Sequence, residues 1–260
     1  MTMTFRKQLK DRIDTTGSHL CVGLDPRPNR IEGDVEAFLK RAVEGVMNEA
    51  AAIKPNIAYF EAMGPEGYTM LGQLLEWVPD EMPVILDVKR SDIPETQKFY
   101  ARAYFERWDV EAVTLNPYTG YDSLVPYLEY EDKGIYLLGV TSNEGGRSLQ
   151  LGDGDGPGIF YRVLEMARQS DYETMVGLVM GLTQMDADLF GFLNDVPLLI
   201  PGLGAQGGDV NLLERLSHDT LSLVNSSRTV LYGDQDRADG SGATERAADY
   251  KGRINDALGK

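Results

Sequence analysis

The sequence has one cysteine, Cys21, and two histidines, His19 and His218, in 260 residues. A single cysteine excludes an intramolecular disulfide framework and fits a reducing cytoplasm. So few cysteines and histidines also argue against a Cys/His zinc site, and no metal is expected. No uninterrupted apolar run approaches the ~18 residues of a membrane span. The opening "MTMTFRKQLKDRIDTTG" lacks the apolar segment of a secretory signal. Positive charge is scarce: 25 basic residues face 41 acidic ones, for a formal net charge of −16. Such a chain repels nucleic acid and anionic membranes, so neither is an expected partner. Only 9 of the basic residues are lysine, a leaning that hints at a salt-rich environment, although a merely soluble acidic enzyme accounts for it and is the better reading. Any phosphate-bearing ligand would need a local cationic pocket.

What the chain does have is a repeating order of short apolar runs and amphipathic stretches. Eight runs read as strands, at 19–25, 51–56, 83–89, 111–116, 134–142, 174–181, 197–202 and 221–228. Between them lie helical patterns. In the stretch 34–51, Val35, Phe38, Leu39, Val43, Val46 and Met47 recur at helical spacing. Eight such units in one chain of this length predict an α/β fold, a single-domain (β/α)8 TIM barrel over residues 1–260. A doubly wound open sheet is the alternative, but no GxGxxG follows the first run. No low-complexity linker marks an internal boundary.

Polar residues sit where a barrel would use them, at the ends of the runs: Asp25, Lys54, Asp87 with Lys89, Asn116, Ser142, Gln206 and Arg228. The stretch 83–93, "PVILDVKRSDI", is the most telling. Alternate residues of an extended strand share a face, which predicts that Asp87 and Lys89 project together into the barrel mouth. Asp92 follows, free to fold back on the same lysine or to reach a neighbouring subunit. Carboxylates beside an ammonium favour its charged form, each contact worth about 4 kcal/mol near 4 Å before desolvation. A charged lysine is a proton donor and a poor Schiff-base nucleophile. The plainer reading is a structural ion pair with a helix-capping carboxylate.

The stretch 201–209, "PGLGAQGGD", is a glycine-rich turn whose amides suit an anion, and "NSSR" at 225–228 adds hydroxyls and a guanidinium. Barrel phosphate sites commonly follow strands seven and eight. "LGDGDGPG" at 151–158 lacks the ligand spacing of a calcium loop and reads as a mobile loop. His19 reads as a strand-start residue, His218 as a surface one, and the aromatic 118–130 as helix packing.

"DVKRSDI" resembles the D-x-K-x-x-D-I signature of the orotidine 5′-phosphate decarboxylase family. "LCVGLDPRP", "IKPNIAYFEAMG", "VTLNPYTGYDSL", "PGLGAQGGD" and "NSSR" extend the resemblance, in order, to the longer second bacterial and archaeal subgroup, from about residue 18 to 233. The resemblance implies decarboxylation of orotidine 5′-monophosphate to UMP and CO2, the last step of de novo pyrimidine synthesis, in a cytoplasmic homodimer without cofactor. It also implies roles for residues. Asp25 and Lys54 would bind the ribose hydroxyls, Asp87 would sit against the substrate carboxylate, and Lys89 would protonate C6. Asp92 and Thr96 would cross a dimer interface into the other subunit's site. Ser142 would contact the pyrimidine. Gln206 and Arg228 would hold the phosphate with the amides around Gly202 and Gly204, and Pro201 and Ser227 complete the substrate-binding set. Two rivals stay open: a metal-dependent 3-hexulose-6-phosphate synthase-like aldolase with the same Asp-x-Lys-x-x-Asp core, and a catalytically silent barrel that only binds a nucleotide.

Overall fold

The computed structural model describes residues 3–152, 158–169, 171–184, 187–203, 208–216 and 221–260. The expectations for Gly204, Gln206, His218 and the loop at 153–157 lie outside the described residues. Eight parallel strands form one sheet: β1 (Leu20–Leu24), β2 (Ala52–Pro55), β3 (Ile85–Arg90), β4 (Ala112–Leu115), β5 (Gly134–Val140), β6 (Met175–Met180), β7 (Leu198–Pro201) and β8 (Leu223–Ser226). Their order is β2-β1-β8-β7-β6-β5-β4-β3. Bridges from Ile53 to Val84 and from Asn56 to Asp87 join β2 to the β3 segment and close the cylinder. All eight predicted strands are present, each within two residues of its expected bounds.

The helices are α1 (Phe5–Thr16), α2 (Val35–Val46), α3 (Ile57–Glu61), α4 (Pro65–Trp77), α5 (Pro94–Arg102), α6 (Val125–Leu128), α7 (Gly146–Gln150), α8 (Phe160–Arg168), α9 (Ala187–Phe190), α10 (Arg228–Tyr232) and α11 (Ala243–Ala257). α5 runs on into a π-helical turn, Ala103–Arg107. α2 begins where Asp34 caps it, its carboxylate accepting from Ala37 N at 2.9 Å. The aromatic stretch 118–130 packs only in part. Tyr127 is buried and donates to Gln97 Oε1 at 2.9 Å, while Tyr118 faces solvent from a 3-10 turn.

Strand alternation separates two apolar layers. Leu20, Val22 and Leu24 of β1, like Val113 and Leu115 of β4, face the helices. Cys21, Ala52, Ile85, Ala112, Tyr136, Met175 and Leu223 fill the barrel interior. Burial pushes the Cys21 thiol up to about 12, so the single cysteine is an inert core residue.

Helix α1 was not anticipated. Its Phe5, Leu9 and Ile13 lie four residues apart, on one face, and join the interior layer as a plug under the barrel's N-terminal end. Gly134 makes room for it: a Cβ there would stand 2.3 Å from the Phe5 ring. That ring packs edge-on against Tyr136, with centroids 6.3 Å apart.

Candidate active site

Above the plug, the strands' C-terminal ends surround a cavity of about 420 Å³. Its floor is apolar, from Leu138, Val179 and Leu199, and its walls carry charge. Adjacent strands β2, β3 and β4 deliver Lys54, Asp87 and Thr114 from interior-facing positions. Asp87 is buried and fully occupied. Oδ2 accepts from Lys54 Nζ at 2.9 Å and from Asn56 Nδ2 at 3.3 Å. Oδ1 accepts from Lys89 Nζ at 2.5 Å and from the Thr114 hydroxyl at 2.7 Å. Burial alone would raise the Asp87 carboxyl, but the ammoniums of Lys54 and Lys89 overcome it and hold the group well below the usual carboxylate range. Burial would likewise discharge Lys54, and Asp87 with Asp25 overcomes that, raising its pKa.

Lys89 reaches this position by a route the strand pattern did not anticipate. Its φ is +45°, and the β3–β4 register shifts between Leu86 and Arg90. A non-glycine residue there costs about 1–3 kcal/mol. Its amide donates to Thr114 Oγ1 at 3.0 Å, so one hydroxyl ties the turned backbone to the carboxylate that the side chain contacts. The expected meeting of Asp87 and Lys89 in the mouth therefore occurs, through a turn and not through simple alternation.

Of the other predicted residues, Asp25, Ser142, Pro201, Gly202, Ser227 and Arg228 all line the cavity. Gly202 has φ +112°, open only to glycine without strain, and this brings backbone to the wall beside Arg228. Asp92 and Thr96 do not line it. Asp92 Oδ1 instead accepts from Ile93 N at 2.8 Å, so within one protomer Lys89 meets Asp87 and not Asp92. Asn116 turns to capping, accepting from Tyr118 N at 3.1 Å.

Sequence reasoning missed Arg27, Asn56, Tyr59, Thr114 and Asn225, all cavity residues. Three of these were reachable by period-2 spacing: Asn56 follows Lys54, Thr114 precedes Asn116, and Asn225 precedes Ser227, each by two. Arg27 and Tyr59 lie in the segments after their strands, where no such spacing applies; an Arg27 Nη donates to Tyr59 Oη at 3.0 Å.

Four cations (Arg27, Lys54, Lys89, Arg228) and two carboxylates (Asp25, Asp87) leave the cavity net positive in a chain of net charge −16. Lys54 and Lys89 are engaged by Asp87, whereas Arg27 and Arg228 make no ion pair among the described residues. Among the described residues, the buried atoms Asp25 Oδ1, Arg27 Nε, Asn225 Oδ1 and Ser227 Oγ have no hydrogen-bond partner. Each such atom costs about 1–3 kcal/mol, a penalty relieved by a ligand whose hydroxyls donate to Asp25 and Asn225 and whose anionic oxygens accept from Arg27 and Ser227.

A closed (β/α)8 barrel with its charged residues gathered in a well at the strands' C-terminal ends has the build of a barrel enzyme. The chain belongs to the orotidine 5′-phosphate decarboxylase / HUMPS family, whose profile matches residues 18–237. An orotidine 5′-phosphate decarboxylase from Cupriavidus necator is 38% identical over 97% of this chain and 98% of its own. One from Roseiflexus sp. is 39% identical over 98% and 99%. Among solved structures, the Leishmania donovani OMP decarboxylase superposes with a TM-score of 0.86 at 32% identity, covering 99% of this chain and all of the other.

Proposed function

We propose that this protein decarboxylates orotidine 5′-monophosphate to UMP and CO2, with Lys89 as the proton donor to C6. The observation that carries the reading is the Lys89 ammonium 2.5 Å from a buried, charged Asp87 on the cavity wall, in a chain of this family. In the reaction, the bond between C6 and the carboxylate breaks, and its electron pair stays on C6. The ring cannot delocalise that pair well, so the barrier falls where a fixed cation faces it. Lys89 supplies the cation, then gives an N–H proton to C6, and the amine is reprotonated from water. Asp87, gripped by Lys54, Asn56 and Thr114, orients Lys89 and cannot swing away as the substrate carboxylate approaches.

The remaining roles follow the same division. Asp25 and Lys54 take the ribose hydroxyls, Ser142 the pyrimidine, and Arg228 with Ser227, Pro201 and Gly202 the phosphate. Phosphate binding far from C6 contributes energy for assembling the site. The protein acts as a homodimer in which Asp92 and Thr96 serve the neighbouring cavity. Support comes from their partial exposure away from their own cavity, beside the exposed Ile93 and Phe99 of the same segment and Tyr118 of the adjoining turn.

The test mixes purified protein with orotidine 5′-monophosphate in EDTA, at low and high salt, and follows the orotate ultraviolet absorbance. Loss of absorbance with UMP as product is the expected outcome. Because it would proceed in EDTA, that loss would also exclude the metal-dependent aldolase. Folded protein that binds UMP without converting it would be the silent barrel.

A further inference from the structure

The left-handed backbone of Lys89 needs something to hold it, since such a conformation persists only where surrounding contacts over-determine it. Those contacts converge on the next residue. Arg90 does not line the cavity; its guanidinium is gripped outside it. Nε donates to Tyr104 Oη at 2.6 Å, an Nη donates to Glu61 Oε1 at 2.9 Å, and its central carbon lies 5.0 Å from the Tyr100 ring centroid. Glu61 in turn accepts from Tyr68 Oη at 3.1 Å. The Arg90 carbonyl accepts from Asn116 N at 2.9 Å, which pins the main chain to the end of β4. Thus α3, α4, α5 and the following π turn all hold the residue immediately after Lys89.

We propose that Arg90 and Glu61 are a pair of positioning residues, an external clamp that fixes the Lys89 backbone so that its ammonium stays against Asp87. The inference rests on Lys89 being the proton donor. Arg90 suits the task because its rigid planar fork meets Glu61 and Tyr104 at once in a fixed geometry, which a lysine's flexible point charge lacks. The cavity's other ligand-facing groups sit on other strands, with Asp25 after β1 and Arg228 after β8, so the clamp bears on the reacting end alone.

The experiment compares wild type, Glu61→Gln, Arg90→Lys and the double variant in steady-state kinetics, UMP affinity and thermal midpoint. The expected result is kcat lowered roughly 10- to 100-fold, the scale of an ångström-level misplacement. KM and UMP affinity should stay within about twofold of wild type. The double variant should lose little more than the worse single one, because the two side chains form one unit. Unchanged kcat in both folded single variants would overturn the clamp. So would a joint fall of kcat, UMP affinity and thermal midpoint, which marks general loosening, or single losses that simply multiply. Wild-type protein without turnover would overturn the decarboxylase reading, and the clamp with it. Normal wild-type turnover beside unaffected variants would overturn the clamp alone.

Discussion

Asp87 accepts four hydrogen bonds, two of them from ammoniums, and this makes it the residue on which local stability and the proposed chemistry both depend. Asp87→Asn keeps the shape and removes the charge, leaving Lys54 buried beside a neutral amide. Breaking a buried pair in this way costs about 3–5 kcal/mol, measurable by urea unfolding near neutral pH. The folded-state pKa of Asp87 is depressed below its unfolded value of about 3.9, so its contribution is fully present above that value and is lost as pH falls toward the folded one. The stability gap between wild type and variant should therefore be flat from about pH 5 to 8 and narrow below about pH 4; a gap that narrows above pH 5 would contradict the assignment. Much of this was legible in the sequence, because charged residues at the end of an apolar strand announce a site. The partners on β2 and β4 were only half legible: Lys54 was marked, Asn56 and Thr114 were not. Neutral polar residues look alike whether they point inward or merely end a strand. Only closure of the cylinder brings three strands to one carboxylate.

At the scale of elements, the eight strands were readable because β-rich apolar runs buried on both faces recur at a regular spacing. Helix α1 was not, since its apolar residues are only Phe5, Leu9 and Ile13 in an otherwise polar and charged stretch. Three residues at i, i+4 and i+8 make a narrow stripe, enough to cap a barrel end and too little to stand out in a sequence. Phe5→Ala should destabilise the fold by about 3–5 kcal/mol, the range for emptying a packed aromatic site. It should leave kcat/KM for orotidine 5′-monophosphate unchanged, because the plug and the charged well lie at opposite ends of the cylinder. Thermal unfolding and steady-state kinetics on one preparation would check both halves. The turn at Lys89 was equally invisible, for nothing in "DVKRSD" distinguishes a left-handed lysine from an extended one.

The whole molecule poses a question of symmetry. If Asp92 serves the neighbouring cavity, inactive Lys89→Ala and Asp92→Asn protomers should rescue one another. A mixed dimer then holds one complete site and one doubly deficient site, so random mixing should restore about a quarter of wild-type activity. No recovery after verified exchange of protomers would return Asp92 to its own subunit. The barrel also has a one-sided plan. With Phe5, Leu9 and Ile13 sealing the far end, the well outlined by the described residues is a blind alley entered from the strands' C-terminal side. Substrate and both products therefore share one threshold, and Lys89 stands at it with its side chain 45% exposed. Whatever lingers on that threshold bars the next arrival, so a spent nucleotide and a fresh one compete for the same ground.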